Sequence, residues 1–213
     1  MLFGRAKKDF ELMKEMGLKR DSFKVVYFGA MGAANAMEYI YEATKRLQND
    51  NDVEFLFMGS GFWEPKLRKM SQEDGLINLH FFGNIAMDRL SKIVNFSDVS
   101  LVTFSNLPIL STNSPNKLFD SLSAGKAIIV NSPGWTKTMV EEHHCGVYVD
   151  GEDPDDMAEK IRFLKKNTEV LETMGKNARI LAETEYDKSI LCSKFVNVIS
   201  ALNITGGIAK KPS

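Results

Sequence analysis

The sequence predicts an α/β fold, a doubly wound parallel sheet of about six strands with helices on both faces and a helical C-terminal extension. From Phe23 onward, short apolar runs alternate with segments of helical periodicity, and several runs end in Gly or Ser, as strand-to-helix turns often do. After Pro154 only helical patterns remain. Such alternation is typical of a parallel sheet covered on both faces, with right-handed crossovers.

The predicted strands are short and β-rich, at 23–29, 53–58, 78–82, 98–103, 127–131 and 146–149. Helices are predicted between them and in the extension, at 35–49, 64–74, 86–96, 115–124, 136–143, 154–166, 168–184 and 187–203. We therefore expect a linker or N-terminal extension at 1–22, one domain at 23–203 and a flexible tail at 204–213. For 1–22 a linker or frayed end is favoured, and an amphipathic surface helix is the alternative.

Composition excludes several classes of function. The 213 residues are 44% hydrophobic, enough for a substantial core. With 27 basic and 28 acidic residues, no global charge favours nucleic acid or anionic lipid. Cys145 and Cys192 show neither metal-type spacing nor a disulfide framework, which fits a reducing cytoplasmic setting. The longest apolar runs are strand-sized, so no membrane span is predicted, and the charged opening segment does not resemble a signal peptide.

In a doubly wound sheet, ligands bind at the carboxyl ends of the strands. The first such turn, 29–35, is rich in small residues, which suits either ligand contact at Gly32 or tight packing. It lacks the G-x-G-x-x-G spacing, and no acid ends the second strand, so NAD binding is disfavoured. The turn at 59–63 ends in aromatic residues that could face a base or sugar. The alternative is that they pack as a hydrophobic staple at the start of the next helix. The turn at 83–85 could read a base edge or simply connect two elements.

The segment 114–131, SPNKLFDSLSAGKAIIVN, carries the strongest local signal. Ser114 as N-cap and Pro115 as first helical residue predict a helix start whose free amides could bind an anion. Lys117 could add positive charge, and Asp120 could accept from a ribose hydroxyl. The alternatives are an ordinary helix cap, a solvated lysine and a surface acid.

Catalytic groups are scarce. No Ser or Cys is placed as a nucleophile partner for His80, His143 or His144, and adjacent histidines cannot chelate a metal as an i, i+4 pair would. No P-loop is present, which argues against an NTPase. We assign no catalytic residue, no metal site and no cofactor.

Five motifs in order, VVYFGAMGAANAMEYIYEA, FLFMGSGFWEPKLRKM, LINLHFFGNIAMDRLSKIVNFSDVSLVTF, SPNKLFDSLSAGKAIIVNSPG and VEEHHCGVYVDGEDPDDMAEKI, carry a family resemblance. From about Phe23 to about Ala201 the chain resembles the Rossmann-like C-terminal, donor-binding domain of a retaining GT-B glycosyltransferase of the "glycosyl transferase group 1" kind. The fourth motif is most similar to bacterial enzymes that build capsule, O-antigen or similar polysaccharides from UDP-activated N-acetyl amino sugars.

The resemblance implies a donor-binding site. Gly32 would border the pyrophosphate, Asp120 would hold the ribose, and other contacts would come from Ser60, Gly61, Asn84 and Ile85 near the base and from Ser114, Asn116 and Lys117 at the phosphates. The sequence differs from the family pattern in three respects. Thr112 replaces the family's first acid, residues 29–37 contain no Arg or Lys where a basic pair is common, and the acceptor-binding N-terminal domain is absent from these residues.

The resemblance therefore implies the donor half of a glycosyltransferase, incomplete for catalysis alone. Its partners would be a nucleotide-sugar, an acceptor domain and a glycan or lipid-linked acceptor, with no nucleic acid and at most peripheral membrane contact. It would be cytoplasmic or lie at the inner face of the plasma membrane. The alternatives are a stand-alone binding module that works with a separately encoded acceptor domain, and a GT-B sugar-nucleotide epimerase.

Overall fold

The structure is a computed structural model that describes residues 3–4 and 6–205, and no side chain beyond residue 202. The strands are β1 (Phe23–Phe28), β2 (Val53–Met58), β3 (Leu79–Gly83), β4 (Val99–Val102), β5 (Ala127–Val130) and β6 (Gly146–Tyr148). The helices are α1 (Phe10–Glu15), α2 (Met37–Arg46), α3 (Glu64–Glu73), α4 (Met87–Phe96), α5 (Asn116–Ser123), α6 (Trp135–Glu142), α7 (Pro154–Lys166), α8 (Thr168–Thr184) and α9 (Lys188–Thr205).

The strands form one sheet in the order β3-β2-β1-β4-β5-β6. All neighbouring strands are parallel, with Val25 of β1 opposite Phe55 of β2 on one side and Val99 of β4 on the other. The predicted fold class is confirmed. Because the chain reverses its direction of winding between β1 and β4, the topological switch point lies at the carboxyl ends of these two strands.

Helices cover both faces of the sheet. Val25 and Tyr27 pack with α2, α3 and α7, whereas Val26 and Phe28 point the other way and pack with α1 and α4. On the second half of the sheet, β5 packs with α5, α6 and α8. Since β1, β2, β4 and β5 are buried along their whole length, they read in the sequence as mainly apolar runs.

The N-terminal segment differs from the favoured prediction of a linker or frayed end. Asp9 caps α1 by accepting from the Leu12 amide at 3.0 Å. Leu12 and Met13 are buried against the sheet, and Phe3 stacks on Phe28 with ring centroids 6.1 Å apart. With only six residues, α1 is too short to show a helical period in the sequence, although its cap and two apolar residues suffice to dock it.

Helix α2 begins two residues later than predicted. Residues Ala33–Asn35 form a 3-10 turn, and Ala36 then adopts a left-handed conformation with φ of 49° before the helix starts at Met37. A second 3-10 turn, Pro108–Thr112, lies between β4 and α5, where neither a strand nor a helix was predicted. At the other end, residues 204 and 205 of the predicted tail belong to α9, and 206–213 lie outside the described residues.

Three aromatic rings join the last elements to α5. Phe119 of α5 stacks on Trp135 of α6 with centroids 6.3 Å apart, and it contacts Tyr186 at 5.0 Å. Tyr186 lies two residues before α9, whose own side chains are exposed from Lys188 to Leu202 apart from the partly covered Ile190. Within the described residues, no helix combines the length and apolarity needed to cross a membrane.

A buried charge cluster lies at the amino end of the sheet. Lys24 Nζ lies 3.9 Å from Glu54 Oε2, and His80 Nε2 lies 3.3 Å from Glu54 Oε1. Lys24 and Glu54 are both almost fully buried. Burial alone would raise the pKa of Glu54, but hydrogen bonds from His80, Ser22 and the Lys19 amide outweigh it, so the pKa of this carboxyl is lowered. The folded state therefore favours the ionised carboxylate.

Replacing this carboxylate should destabilise the fold. We expect Glu54→Gln to cost about 3 kcal/mol of unfolding free energy at pH 7, because Lys24 would remain buried without a charged partner. Since the folded pKa of Glu54 lies below its ordinary 4.5, its contribution is present at pH 7 and is lost as the pH falls below that value. Urea unfolding at pH 7 and pH 4 measures both effects. Glu159→Gln, at an exposed position of α7, is the control, and equal stabilities of the two variants at pH 7 would contradict the prediction.

Candidate functional site

A cavity of about 340 Å³ opens at the carboxyl ends of β1, β2 and β3. Its lining comes from the turns after these strands and from α4, and consists of Gly29, Ala30, Met58, Gly59, Ser60, Asn84, Ile85 and Leu90. Ser60 Oγ donates to Asn84 Oδ1 at 3.2 Å. The structure thus brings together Ser60, Asn84 and Ile85, three of the predicted site residues, above an apolar floor. Its volume is in the range of small-molecule sites.

The turns after β1 and β2 touch through their backbones. Gly59 has a φ of +124°, and a Cβ at this position would lie 2.0 Å from the Gly29 carbonyl oxygen. Gly61 has a φ of +153°, and its Cβ would lie 2.7 Å from the Met31 carbonyl oxygen. The Met31 amide donates to the Ser60 carbonyl at 2.9 Å. Packing therefore requires both glycines, and Gly61 does not line the cavity.

Gly32 is in a different situation. Its φ is −100°, a value open to any residue, and the nearest atom to its Cβ position is Asn35 Nδ2 at 3.9 Å. Neither conformation nor packing demands glycine here. The missing side chain leaves the backbone of the first turn accessible to a ligand.

Helix α5 begins at the carboxyl end of β4 without a side-chain cap. The predicted N-cap, Ser114, is wrong: Pro115 occupies that position in an extended conformation, with φ of −82° and ψ of 139°, and has no side-chain oxygen that could accept from the helix amides. The first helical residues are Asn116 and Lys117, whose amides have no carbonyl four residues back within the helix. Ser114 and Asn116 are exposed. The positive end of the helix dipole therefore has free donors, as an anion site requires.

The side chain of Lys117 runs from α5 back to the turn after β1. Its Nζ lies 4.1 Å from the Tyr27 ring centroid and 3.4 Å from Asn35 Oδ1. The Cβ position of Gly29, which lines the cavity, lies 3.6 Å from Lys117 Cε. Within residues 3–4 and 6–202 no carboxylate pairs with this ammonium group. Burial lowers the pKa of Lys117 to about 8.

Asp120 lies one turn further along α5 and is half-buried. Burial raises the pKa of this carboxyl. In the described part of the chain its side chain has no hydrogen-bond or ion-pair partner, whereas the next residue, Ser121, bonds to Ser100 Oγ at 2.7 Å. Asp120 is three residues after Lys117, so the two side chains lie on neighbouring parts of the helix surface. It is not among the residues lining the cavity.

The loop after β4 is fastened at both ends. Near β4 the Phe104 amide donates to Asn131 Oδ1 at 2.8 Å, and near α5 Trp135 Nε1 donates to the Asn113 carbonyl at 3.0 Å. Between these points Leu107 and Ile109 are exposed. Thr112 donates to the Ile109 carbonyl at 2.9 Å.

Two residues of the site, Tyr27 and Asn35, were not predicted. Both residues belong to the site because they contact the Lys117 ammonium group. Asn35 is 82 positions before Lys117 in the sequence, so no local pattern could reveal the contact. Of the three histidines, His80 belongs to the opposite end of the sheet and His143 ends α6. The described residues hold no group of three or more His, Cys, Asp or Glu that could bind a metal.

The fold and the cavity at the carboxyl ends of β1, β2 and β3 define a doubly wound α/β domain, and the start of α5 adds free amide donors at the same edge of the sheet. The chain belongs to the glycosyl transferases group 1 family, whose sequence model matches residues 8–181. The family resemblance predicted from the motifs is thereby confirmed at the level of the family.

Among relatives, the putative colanic acid biosynthesis glycosyl transferase WcaI of Escherichia coli is 27% identical over 189 residues, 88% of this chain and 46% of its own length. Anabaena HepE, crystallised with UDP, superposes with a TM-score of 0.81 at 17% identity, over 94% of this chain and 54% of its own. The C-terminal domain of a Francisella tularensis glycosyl transferase group 1 protein, LpcC, gives 0.71 at 14% identity, over 88% and 97%. The chain spans about half the length of the curated relatives it matches.

Proposed function

We propose that this chain binds a nucleotide-sugar and forms the donor half of a glycosyltransferase. The observation that carries the proposal is the Lys117 side chain, which starts in the first turn of α5 and ends next to Gly29 of the cavity without a carboxylate partner in the described residues. A largely buried cation that forms no ion pair, combined with free helix donors, is an arrangement that favours a diphosphate.

In this proposal the diphosphate lies between the start of α5 and the turn after β1. Ser114, Asn116 and Lys117 would contact it from the helix, and Gly32 would allow its close approach from the turn. The base would enter the 340 Å³ cavity, with the Ile85 main chain at its edge and Ser60 and Asn84 nearby. Asp120, whose side chain has no partner within the described residues, would accept from the ribose hydroxyls.

The nucleotide is proposed to be uridine diphosphate. The structural neighbour HepE was crystallised with UDP and with UDP-glucose, and Staphylococcus aureus TarM was crystallised with UDP. The curated relative WcaI is named for colanic acid biosynthesis. An N-acetyl amino sugar as the transferred group, and a surface polysaccharide as the product, remain part of the proposal.

The proposed reaction moves the sugar from UDP to an acceptor hydroxyl with retention at the anomeric carbon. The bond from that carbon to the phosphate oxygen breaks, a glycosidic bond forms to the acceptor oxygen, and the proton of the acceptor hydroxyl passes to the departing diphosphate. The α5 amides and Lys117 would stabilise the negative charge that develops on the departing diphosphate. Because an acceptor site must come from a domain outside these residues, we expect the isolated chain to bind donor but to transfer almost nothing.

A second candidate, a binding module that works with a separately encoded acceptor domain, is favoured by α9. Its apolar side chains are exposed, including Leu191, Phe195 and Val198. Exposed apolar surface of this kind marks a protein contact. We propose that α9 contacts the acceptor domain, whether that domain is linked to this chain or separate from it.

A calorimetric panel of UDP, GDP, ADP and UDP-N-acetylglucosamine tests the proposed function. We expect UDP to bind best, and we expect Asp120→Ala to weaken it about tenfold or more, because a charge-assisted bond to the ribose is lost. The variant should fold normally, since this carboxylate makes no hydrogen bond or ion pair within the described residues. Glu159→Ala, on the exposed face of α7, is the control. Absence of binding by every nucleotide would refute the proposal.

A further inference from the structure

We propose that Asn35 is a positioning residue, which holds the Lys117 ammonium group at the turn after β1 and so supplies the cation that this turn lacks. The inference rests on the proposed function. It adds how a lysine of α5 replaces the basic residue that the turn after β1 does not have. Residues 29–37 contain no Arg or Lys, although this turn is the one that faces the cavity.

The position of Lys117 is the first support. Lys117 belongs to α5, yet its side chain leaves the helix and ends at the turn after β1, 3.4 Å from Asn35 Oδ1. The start of α5 has no side-chain cap, and no carboxylate of the described residues forms an ion pair with the Lys117 ammonium group. Burial beneath the turn also removes most of its contact with water. Asn35 therefore provides the hydrogen-bond acceptor that orients the ammonium group in the absence of an anion.

The amide of Asn35 is oriented correctly for this role. Its oxygen faces Lys117, and its nitrogen lies 3.9 Å from the Cβ position of Gly32, the residue proposed to border the pyrophosphate. The side chain thus links the cation to the point at which the phosphate would lie. The Tyr27 ring closes the opposite side of the ammonium group at 4.1 Å, a distance typical of cation–π contacts.

The turn that carries Asn35 is anchored to the residues that follow β4. Thr103 Oγ1 donates to the Asn35 carbonyl at 3.0 Å, and the Ser105 amide donates to the Ala34 carbonyl at 2.9 Å. These bonds fix the backbone independently of the Asn35 side chain. Truncation of the side chain should therefore release Lys117 without releasing the turn.

Gly29 marks where the Lys117 side chain passes the turn after β1. The Cβ position of Gly29 lies 3.6 Å from Lys117 Cε and 3.7 Å from Nζ, which are ordinary van der Waals distances. Its φ of +124°, which other residues rarely adopt, accounts for the glycine. Lys117 therefore brings its charge to the backbone of this turn, and Asn35 holds it there.

A double-mutant cycle on the full chain tests the proposal, with UDP affinity measured by calorimetry. We expect Asn35→Ala to weaken UDP about fivefold. In the Lys117→Met background the same substitution should have no effect, because a residue that acts through Lys117 has nothing left to position. Uridine, which lacks phosphates, should bind the wild type and Asn35→Ala equally. Asn35→Ser, which is also too short to reach Lys117, repeats the test should Asn35→Ala fail to fold.

The outcomes separate the two claims. If wild-type protein does not bind UDP, the proposed function fails. If wild-type protein binds UDP but Asn35→Ala weakens it equally in both backgrounds, or weakens uridine as much as UDP, the positioning role alone is overturned and the nucleotide site stands.

Discussion

Lys117→Met should weaken UDP binding by about 30- to 100-fold and at the same time stabilise the protein. The loss of affinity follows from removing a charge-assisted contact to a diphosphate, worth about 2–3 kcal/mol. The gain in stability follows from the burial of Lys117, which lowers its pKa from 10.5 to about 8. A shift of this size corresponds to a cost of about 3 kcal/mol to keep the proton in the folded state. After loss of the Asn35 and Tyr27 contacts, we expect a net gain of about 1–2 kcal/mol at pH 7.

The pH dependence of stability and of UDP affinity supplies a second test of Lys117→Met. Since the folded pKa of Lys117 lies below the unfolded value, the wild type should become more stable as the pH rises from about 8 to 10.5, and Lys117→Met should lose that rise. UDP affinity of the wild type should fall over the same range, because the neutral amine no longer attracts phosphate. The titratable group that faces this amine is Tyr27. Burial raises the pKa of the Tyr27 hydroxyl, so this group stays neutral over the same pH range.

Urea unfolding and calorimetry at pH 7 and pH 9.5 measure these effects, with Lys176→Met, at an exposed position of α8, as the matched control. A variant that binds UDP as tightly as the wild type would show that Lys117 is only a structural residue. A variant that loses stability at pH 7 would show that the buried charge stabilises the fold.

Gly59→Ala should destabilise the protein by more than about 3 kcal/mol, or prevent its folding. The new Cβ would lie 2.0 Å from the Gly29 carbonyl oxygen, and this neighbour is backbone that cannot rotate away. The positive φ of +124° adds strain of its own. The two turns would have to separate, and the floor of the cavity would open with them.

Gly75→Ala is the matched control for this substitution. Gly75 also has a positive φ, +65°, but no atom lies within 4 Å of its Cβ position. It therefore isolates the conformational strain, which should cost about 1 kcal/mol. If Gly59→Ala and Gly75→Ala had equal unfolding free energies in urea, the two turns could separate at little cost in free energy. Soluble yield relative to Gly75→Ala serves as the readout if Gly59→Ala does not fold.

The sheet was predictable because its four inner strands, β1, β2, β4 and β5, are buried along their whole length. Val25, Val26 and Phe55 belong to apolar runs that have no solvent side to interrupt them. The start of α2 was not predictable, since the left-handed conformation of Ala36 leaves no trace in residue type. The same holds for α1, whose six residues are held by tertiary contact and a single cap.

The candidate site was predictable where it depends on strand ends. Ser60, Asn84 and Ile85 come together because parallel strands deliver their carboxyl-end turns to one edge. The contacts of Lys117 were not predictable, because they depend on where a long side chain passes between α5 and a turn 82 positions earlier. The cap of α5 was predicted wrongly for a local reason: Pro115 took the cap position itself and left the amides free.

The aromatic rings of Phe119, Trp135 and Tyr186 have a consequence for how the domain would meet another one. Phe119 is adjacent to Asp120 on α5, and Tyr186 lies two residues before α9. The ring contacts therefore hold the chain that enters α9 against the helix that carries the candidate phosphate and ribose contacts. A domain bound to α9 would be tethered at a point that these three side chains define relative to α5.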